Sequence, residues 1–372
     1  MSRLSSLKRA YFVGIGGIGM SALAQCLTDR GIKVSGSDRE ASPVTDLLLA
    51  KGIEVFLTQS AGNVPEDAEL VIYSEAVWED NAERMQAKEL GISERSYFEV
   101  LGDVSEDMRT VAVAGTHGKT TTTGMLANLL KDAEVSPTAI VGSLVRDFGS
   151  NYLSGNSDWL VVEACEYKRD FLTLSPEILV VTNIELDHTD YYQNLEDVQS
   201  AFRALMEKVP THGAIVTDAT HPTIAPLLAG LAAPVIDYAR EAGYPVRFPG
   251  EFNIMNARAA TAAARKVSPE ITEDLLRDSL ASFEGTWRRF EYKGKTQKGA
   301  EVYDDYAHHP TAVAKTIQEL RSKTNGKIFV AFHPHLFSRT RDLFSEFSVA
   351  FAGADKVFIA PIYPPRELDD GT

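Results

Sequence analysis

The stretch YFVGIGGIGMSALAQCLTDRGIKVSGSD, residues 11–38, reads as an apolar strand, a glycine turn, a helix-forming run and a second strand. Gly14, Gly16 and Gly19 give the GxGxxG spacing, which allows a tight turn, close approach of backbone to a diphosphate, and close packing of helix on strand. The chain therefore opens as a parallel α/β unit with an anion seat at a helix N-terminus. The spacing specifies a diphosphate and leaves open what is attached to it. Asp38 ends the second strand, where an acid in a dinucleotide fold bonds a ribose.

The same alternation continues along the chain. From Tyr11 to about Asp103, the runs YFVGI, VSGS, IEVFL and LVIYS alternate with helical stretches, as in a sheet wrapped by helices. VAVAG at 111–115 opens a second unit, followed by WLVVEA, ILVVTNI, AIVTD and a helix around 252–266. A third begins near Arg289 with FEYKG, EVYDDYA, a helix from Pro310, KIFVAF and KVFIAPI. The expected fold class is α/β with three consecutive domains. Residues 1–105 form a Rossmann-like domain, 106–288 a central P-loop domain, and 289–372 a C-terminal Rossmann-like domain that stops at PPRELDDGT with its sheet incomplete, and is expected to be truncated.

Charge narrows the partners. With 37 Lys and Arg against 52 Asp and Glu, the formal charge of -15 excludes generic nucleic-acid binding, which needs a basic face. An anionic ligand must be held locally, by glycine loops, a metal and a few arginines. Cys26 and Cys165 are the only cysteines, too few for a disulfide scaffold, so a cytoplasmic protein is expected. The basic start MSRLSSLKRA before an apolar run mimics a signal peptide, but the glycine spacing that follows favours the nucleotide fold. No run approaches the length of a bilayer span, so no membrane insertion is expected. The sequence leaves the oligomeric state open.

The segment VAVAGTHGKTTTTGML, residues 111–126, is a second phosphate loop. Gly115, Thr116 and Gly118 form the turn, Lys119 reaches terminal phosphates, and Thr120 and Thr121 open the helix. Val113 stands where the strict Walker pattern has its first glycine, leaving a shorter GxxGKT. Glu163 and His188 each follow a strand that ends beside this loop, so Thr120, Glu163 and His188 are candidate ligands of one ion. A histidine is an unusual partner for magnesium, and a strand-end histidine held by backbone is the competing reading.

Taken together, GTHGKTTTT, EACEYKRDFL, TNIELDHTDYY, WRRFEYKG, VYDDYAHHPTA and HPHLFSRTRDLF, in that order, resemble the Mur ligases, and among them those that join L-alanine to UDP-N-acetylmuramate. The resemblance covers nearly the whole chain and answers the question left by the first turn: it implies UDP diphosphate there, with no nicotinamide. Gly16, Gly17, Ile18 and Gly19 would present amides to it, with Ser37, Asp38 and Ser74 near uridine or ribose unless each merely caps the next helix. It also implies ATP on the second loop, Mg2+ on Thr120, Glu163 and His188, and His117 facing the muramyl carboxylate or stabilising its own turn. Asn253 and Asn256 would contact adenine, or stand as exposed polar residues at a helix start. Of Arg288 and Arg289, the second is expected at the nucleotide.

For the amino acid the resemblance points to Asp305, Tyr306, His308 and Arg339, the arginine holding a free carboxylate. Some relatives have a second arginine where this chain has Leu336, which leaves amino-acid selectivity open. His309, His333 and His335 read equally as packing or capping residues. Lys119, His188, His308 and Arg339 are the expected catalytic set. The implied reaction is ATP-dependent amide formation through an acyl phosphate, using no nucleophilic side chain, so Cys165 is expected to be a buried filler. Arg203 stands where many relatives have a carbamylated lysine, so the site is expected to lack that group. Two other readings stay open: a recycling ligase adding an intact tripeptide, and a truncated ligase that binds UDP-sugar and ATP without turnover. The segment between IVTDATHPTIAPLL and VRFPGEFN lacks a strand excursion found in many relatives, implying a compact central domain.

Overall fold

The strand β1 (Arg9–Val13) runs into the glycine turn and α1 (Ile18–Asp29), followed by β2 (Lys33–Ser37), α2 (Pro43–Ala50), β3 (Glu54–Phe56), β4 (Leu70–Tyr73), α3 (Ala82–Glu89), β5 (Ser93–Ser96) and α4 (Tyr97–Glu106). These strands form one parallel sheet in the order β3-β2-β1-β4-β5 in the computed structural model, which describes residues 4–247, 250–363 and 367. From β1 the sheet is built outward to both sides, β2 on one and β4 on the other. The crevice beyond the carboxyl end of β1 is thus a switch point, where open α/β sheets take ligands, and the glycine turn lies there. Capping boxes start α2, through Ser42 and Thr45, and α4, through Ser96 and Glu99.

The second sheet repeats this logic. It comprises β6 (Arg109–Ala114), then after α5 (Lys119–Asp132) the strands β7 (Thr138–Val145), β8 (Ser150–Leu153), β9 (Trp159–Glu163) and β10 (Ile178–Val181), and after α6 (Leu195–Glu207) β11 (Ala214–Thr217) and β12 (Val235–Asp237). Helices α7 (Glu251–Val267) and α8 (Glu273–Ser282) pack beside α5. The order is β12-β11-β10-β6-β9-β7-β8, so β6 again sits at a switch point, and the phosphate loop follows it. Ile178–Val181 is buried throughout, as an apolar run without alternation should be when helices cover both faces.

The antiparallel hairpin β7–β8 joins the first two sheets. Asn151 is fully buried, donates to Ile18 O and to Ser21 Oγ (2.8 Å), and accepts from Gln25 Nε2 (3.2 Å). Tyr152 adds a bond to Asp29 (2.9 Å) at the other end of α1. One apolar core continues from Phe12, Leu23 and Ile72 into Ile140, Leu160 and Leu179. Replacing Asn151 by alanine strips several buried groups of their partner at once, an expected loss of about 2–3 kcal/mol. Thermal melting checks this, and an unchanged midpoint would mean the network contributes nothing.

The third region starts with an antiparallel hairpin of β13 (Glu291–Lys295) and β14 (Glu301–Asp304). It continues with α9 (Pro310–Lys323), β15 (Phe329–Phe332), α10 (Phe337–Asp342), α11 (Phe344–Ala350) and β16 (Lys356–Ile359). FEYKG and EVYDDYA, expected within one Rossmann-like unit, instead pair only with each other, while β15 and β16 form a separate parallel pair. This region keeps its own small core of Val313, Ile317, Phe332, Leu343 and Phe347. No described helix is long and apolar enough to cross a membrane.

Candidate functional site

Beyond β6 the chain makes the expected tight loop. Gly118 is in the left-handed region (φ +83°), and a Cβ there would lie 2.4 Å from Asn256 Oδ1. Lys119 Nζ donates to Gly115 O (2.5 Å) and pairs with Glu166 Oε2 (2.9 Å). Burial pulls the ammonium down, but Glu166 outweighs it and the net shift is upward. For Glu166 burial opposes charge, yet Lys119 and His188 hold the carboxyl below its usual range. Thr116 Oγ accepts from Glu185 N (2.8 Å), fixing the loop to the segment after β10, and Thr121 lines the cleft above.

The oxygen ligands expected for a cation are brought together. Thr120 Oγ1 lies 3.0 Å from Glu163 Oε1, and Glu163 Oε2 accepts from Gly142 N (2.8 Å). His188 Nε2 lies 3.6 Å from Glu166 Oε1, one carboxylate further along the same loop. Its backbone is left-handed (φ 54°), a strained conformation of the kind that collects at functional sites. A hydroxyl and two carboxylates match the oxygen preference of magnesium, although Glu166 is also paired with Lys119. Glu166 is the residue sequence reasoning passed over. Its signal was the spacing ExxE after a strand end.

Arg289, and not Arg288, reaches this group. Arg289 Nη2 donates to Thr120 Oγ1 (3.2 Å), whereas Arg288 pairs with Asp304 (3.2 Å). Asn253 and Asn256 are 4% and 7% exposed, tucked under the phosphate loop and lining its cleft, which replaces the reading of them as exposed polar residues. Cys165 is half-buried and not the buried filler expected, and desolvation and Glu166 push its thiol up to about 12, which disfavours a thiolate. Arg203 is spent on Glu207 and on the carbonyls of Leu227 and Ala229.

The third region closes a cavity of about 500 Å³ over the loop. Arg339 Nε donates to Asp187 Oδ1 (2.7 Å). His308 lines the cavity, and its Nδ1 lies 2.8 Å from Tyr306 O, which leaves Nε2 with a lone pair. Asp305 is occupied by the amides of Phe290 (2.8 Å) and Ala307 (2.7 Å), so it shapes the turn and has less to offer an amino acid. Tyr306 faces the cavity beside Arg289. His117, Glu185 and His309 bring three ligand atoms within 4.8 Å. They do not fit a metal: His309 Nδ1 accepts from Thr311 N (3.3 Å) and its Nε2 bonds Leu186 O (3.2 Å), which leaves no lone pair. His117 thus sits against the third region, 3.5 Å from Glu185, in the same cavity.

Two of these groups are expected to make the fold sensitive to acid. Burial opposes charge on Glu185, but hydrogen bonds from His117 and Thr311 bring it down to about 2 from the ordinary 4.5. Burial and the Arg339 charge push His308 down to about 3 from 6.5. Each folded value is depressed, so each contribution is complete above the unfolded value and is lost as pH falls toward the folded one. The melting midpoint is expected to fall from pH 6.5 downward, more steeply below 4.5, with Glu185→Gln flattening the lower part. A profile flat from pH 7 to 4 would contradict this.

At the first switch point the structure corrects several expectations. The amide of Gly16 donates to Asp38 Oδ2 (2.8 Å), and Asp38 Oδ1 accepts from Arg39 N (2.7 Å), so the Gly16 amide is taken and Asp38 braces the turn. Ser37 is fully buried and donates to Glu83, away from the crevice. Gly17 N is bonded to Gly14 O (3.2 Å). Ile18 and Gly19, in the first turn of α1, remain to offer amides. A Cβ on Gly19 would lie 2.7 Å from Tyr97 Cζ, so glycine is required for that helix to reach its place. A second cavity, about 550 Å³, runs from Ile18, Gly19 and Ser74 to Glu163, Arg289 and Tyr306.

Comparison with known proteins follows the same three parts. Models of the Mur ligase family match as the catalytic domain over residues 9–109, the middle domain over 113–245, and the glutamate ligase domain over 288–370. The UDP-N-acetylmuramate--L-alanine ligase of Clostridium kluyveri is 38% identical over 98% of this chain and 85% of its own length. That of Clostridium acetobutylicum is 37% identical with the same coverage. The crystal structure of the Thermotoga maritima UDP-N-acetylmuramate-alanine ligase superposes with a TM-score of 0.79 at 30% identity, covering 95% of this chain and 85% of that one. With two switch-point crevices, a GKT loop and a third region closing over it, matched in order along nearly the whole length, the chain belongs to the Mur ligase family.

Proposed function

We propose that the chain joins L-alanine to the lactyl carboxylate of UDP-N-acetylmuramate, consuming ATP and releasing ADP and phosphate. The observation that carries this is the meeting of the two cavities at Arg289 and Tyr306. The diphosphate seat of α1, the phosphate loop and the arginine of the third region thus open onto one place. The named activity of the Clostridium relatives supports the same reading.

In this reading the amides of Ile18 and Gly19 hold the UDP diphosphate, and the lactyl carboxylate lies toward Arg289. Its oxygen attacks the γ-phosphorus of ATP, the bond to the ADP oxygen breaks, and an acyl phosphate results. The amine of L-alanine attacks the acyl carbon, phosphate leaves with the C–O electron pair, and the nitrogen releases a proton. Lys119 and Arg289 neutralise charge on the phosphates, the main demand of phosphoryl transfer. Thr120 and Glu163 would hold Mg2+, with Glu166 and His188 beside them; when bound, the ion supplies further neutralisation and alignment. The unprotonated Nε2 of His308 accepts a hydrogen bond from the amine, and Arg339 takes the amino-acid carboxylate. Docking of the third region keeps water from the acyl phosphate. A cytoplasmic location, where these nucleotide substrates are found, fits this reading.

The test is ADP release with ATP, Mg2+ and UDP-N-acetylmuramate, comparing no acceptor, L-alanine, glycine, L-serine and the tripeptide. Release that depends on L-alanine is expected. Release with the tripeptide alone would assign recycling, and silence with every acceptor would mean binding without turnover.

A further inference from the structure

Three successive residues after β10 hold the third region. Glu185 Oε2 accepts from Thr311 Oγ1 (2.8 Å), Leu186 O pairs with His309 Nε2 (3.2 Å), and Asp187 Oδ1 accepts from Arg339 Nε (2.7 Å). The fourth residue, His188, leads back to Glu166 and Lys119. The side chains of Asp187 and Arg339 are each 5% exposed, so neither can swing into solvent to find another partner. Arg339 Nη1 also donates to His335 O (3.2 Å). With Nε and one Nη1 hydrogen used, the guanidinium keeps one N–H on Nη1 and both on Nη2, a fork that fits a single carboxylate end-on. Leu336, in the same cavity, brings no second charge, so the aim of this one fork decides how well an acid is held.

We propose that Asp187 is a positioning residue for the amino-acid substrate: from the central domain, it fixes the guanidinium of Arg339 so that its free edge faces the cleft. The acceptor site is then complete only when the third region docks on residues 185–187. Amino-acid binding and closure over the acyl phosphate become one event, and the docking segment is continuous with His188 at the phosphate end. This rests on the reading of Arg339 as the anchor of the acceptor carboxylate.

The test is steady-state kinetics of the full chain carrying Asp187→Asn. Oδ1 of Asp187 accepts from both His188 N and Arg339 Nε (2.7 Å each), so asparagine keeps the turn through that oxygen but loses the charge that holds the guanidinium in place against other partners. The KM for L-alanine is expected to rise about tenfold or more, as misplacing a substrate clamp does, while kcat at saturating L-alanine stays within about threefold. The KM values for ATP and UDP-N-acetylmuramate are expected to stay within about twofold, which a general structural defect would not allow. An unchanged KM for L-alanine, or an equal rise for ATP, would overturn the proposal. Arg339→Lys separates the two layers: if it leaves the KM for L-alanine unchanged, the anchor reading itself fails. If it raises that KM while Asp187→Asn does not, the anchor stands and the positioning role falls. Should Asp187→Asn lose its cooperative melt, Asp187→Glu, with the charge kept but displaced by one methylene, must shift the KM for L-alanine alone.

Discussion

Lys119→Met is expected to lower kcat by about a thousandfold or more, the range found when a phosphate-neutralising cation is removed. Two effects are mixed in that loss. Lys119 also neutralises Glu166, whose side chain is 3% exposed, and stripping a buried carboxylate of its cation destabilises by about 3–5 kcal/mol. The double variant Lys119→Met, Glu166→Gln removes the stranded charge. Its melting midpoint is expected to recover toward that of the unmodified chain while turnover does not. Recovery of turnover with stability would show that the lysine serves the fold and not the phosphate.

Gly118→Ala is expected to raise the KM for ATP about tenfold to a hundredfold and to lower the melting midpoint by several degrees. The residue sits at φ +83°, where a Cβ costs about 1–2 kcal/mol through its clash with the following carbonyl. That Cβ would also stand 2.4 Å from Oδ1 of Asn256, which is 7% exposed and has little room to turn away. The loop must therefore shift, and amides displaced by even an ångström no longer converge on phosphate oxygens. Gly118→Ala combined with Asn256→Ala relieves the contact but not the dihedral strain, so it should recover stability in part and leave the KM raised. An ATP KM within twofold of normal in the single variant would refute the tight-loop argument.

Much of the fold was legible because its signals are local. The turns at Gly14–Gly19 and Gly115–Gly118, the run ILVV and the helix at 251–267 follow from backbone freedom and apolar periodicity within a few residues. The phosphate loop with Lys119, and Thr120 beside Glu163, belong to the same class, because a strand end fixes where its last side chain lies. Other features depended on partners far along the chain. Nothing within ten residues of Ser37 tells that Glu83 will claim its hydroxyl, or within ten of Gly16 that Asp38 will take its amide. The hairpin β7–β8 is not legible locally, because β7 is buried almost throughout without alternation and the edge strand β8 is four residues long, and its Asn151 acquires meaning only against α1.

What the sequence determined by itself, then, was most of the elements and the two glycine turns that open α1 and α5, since each is dictated by sterics and hydrogen bonding inside one short segment. The tertiary structure alone decided which charges meet: Glu166 with Lys119 and His188, Arg289 with Thr120, and Asp187 with Arg339. Those pairings depend on strand order and on how the third region docks, and a buried charge accepts whichever partner the fold brings within reach because an unpaired one costs too much.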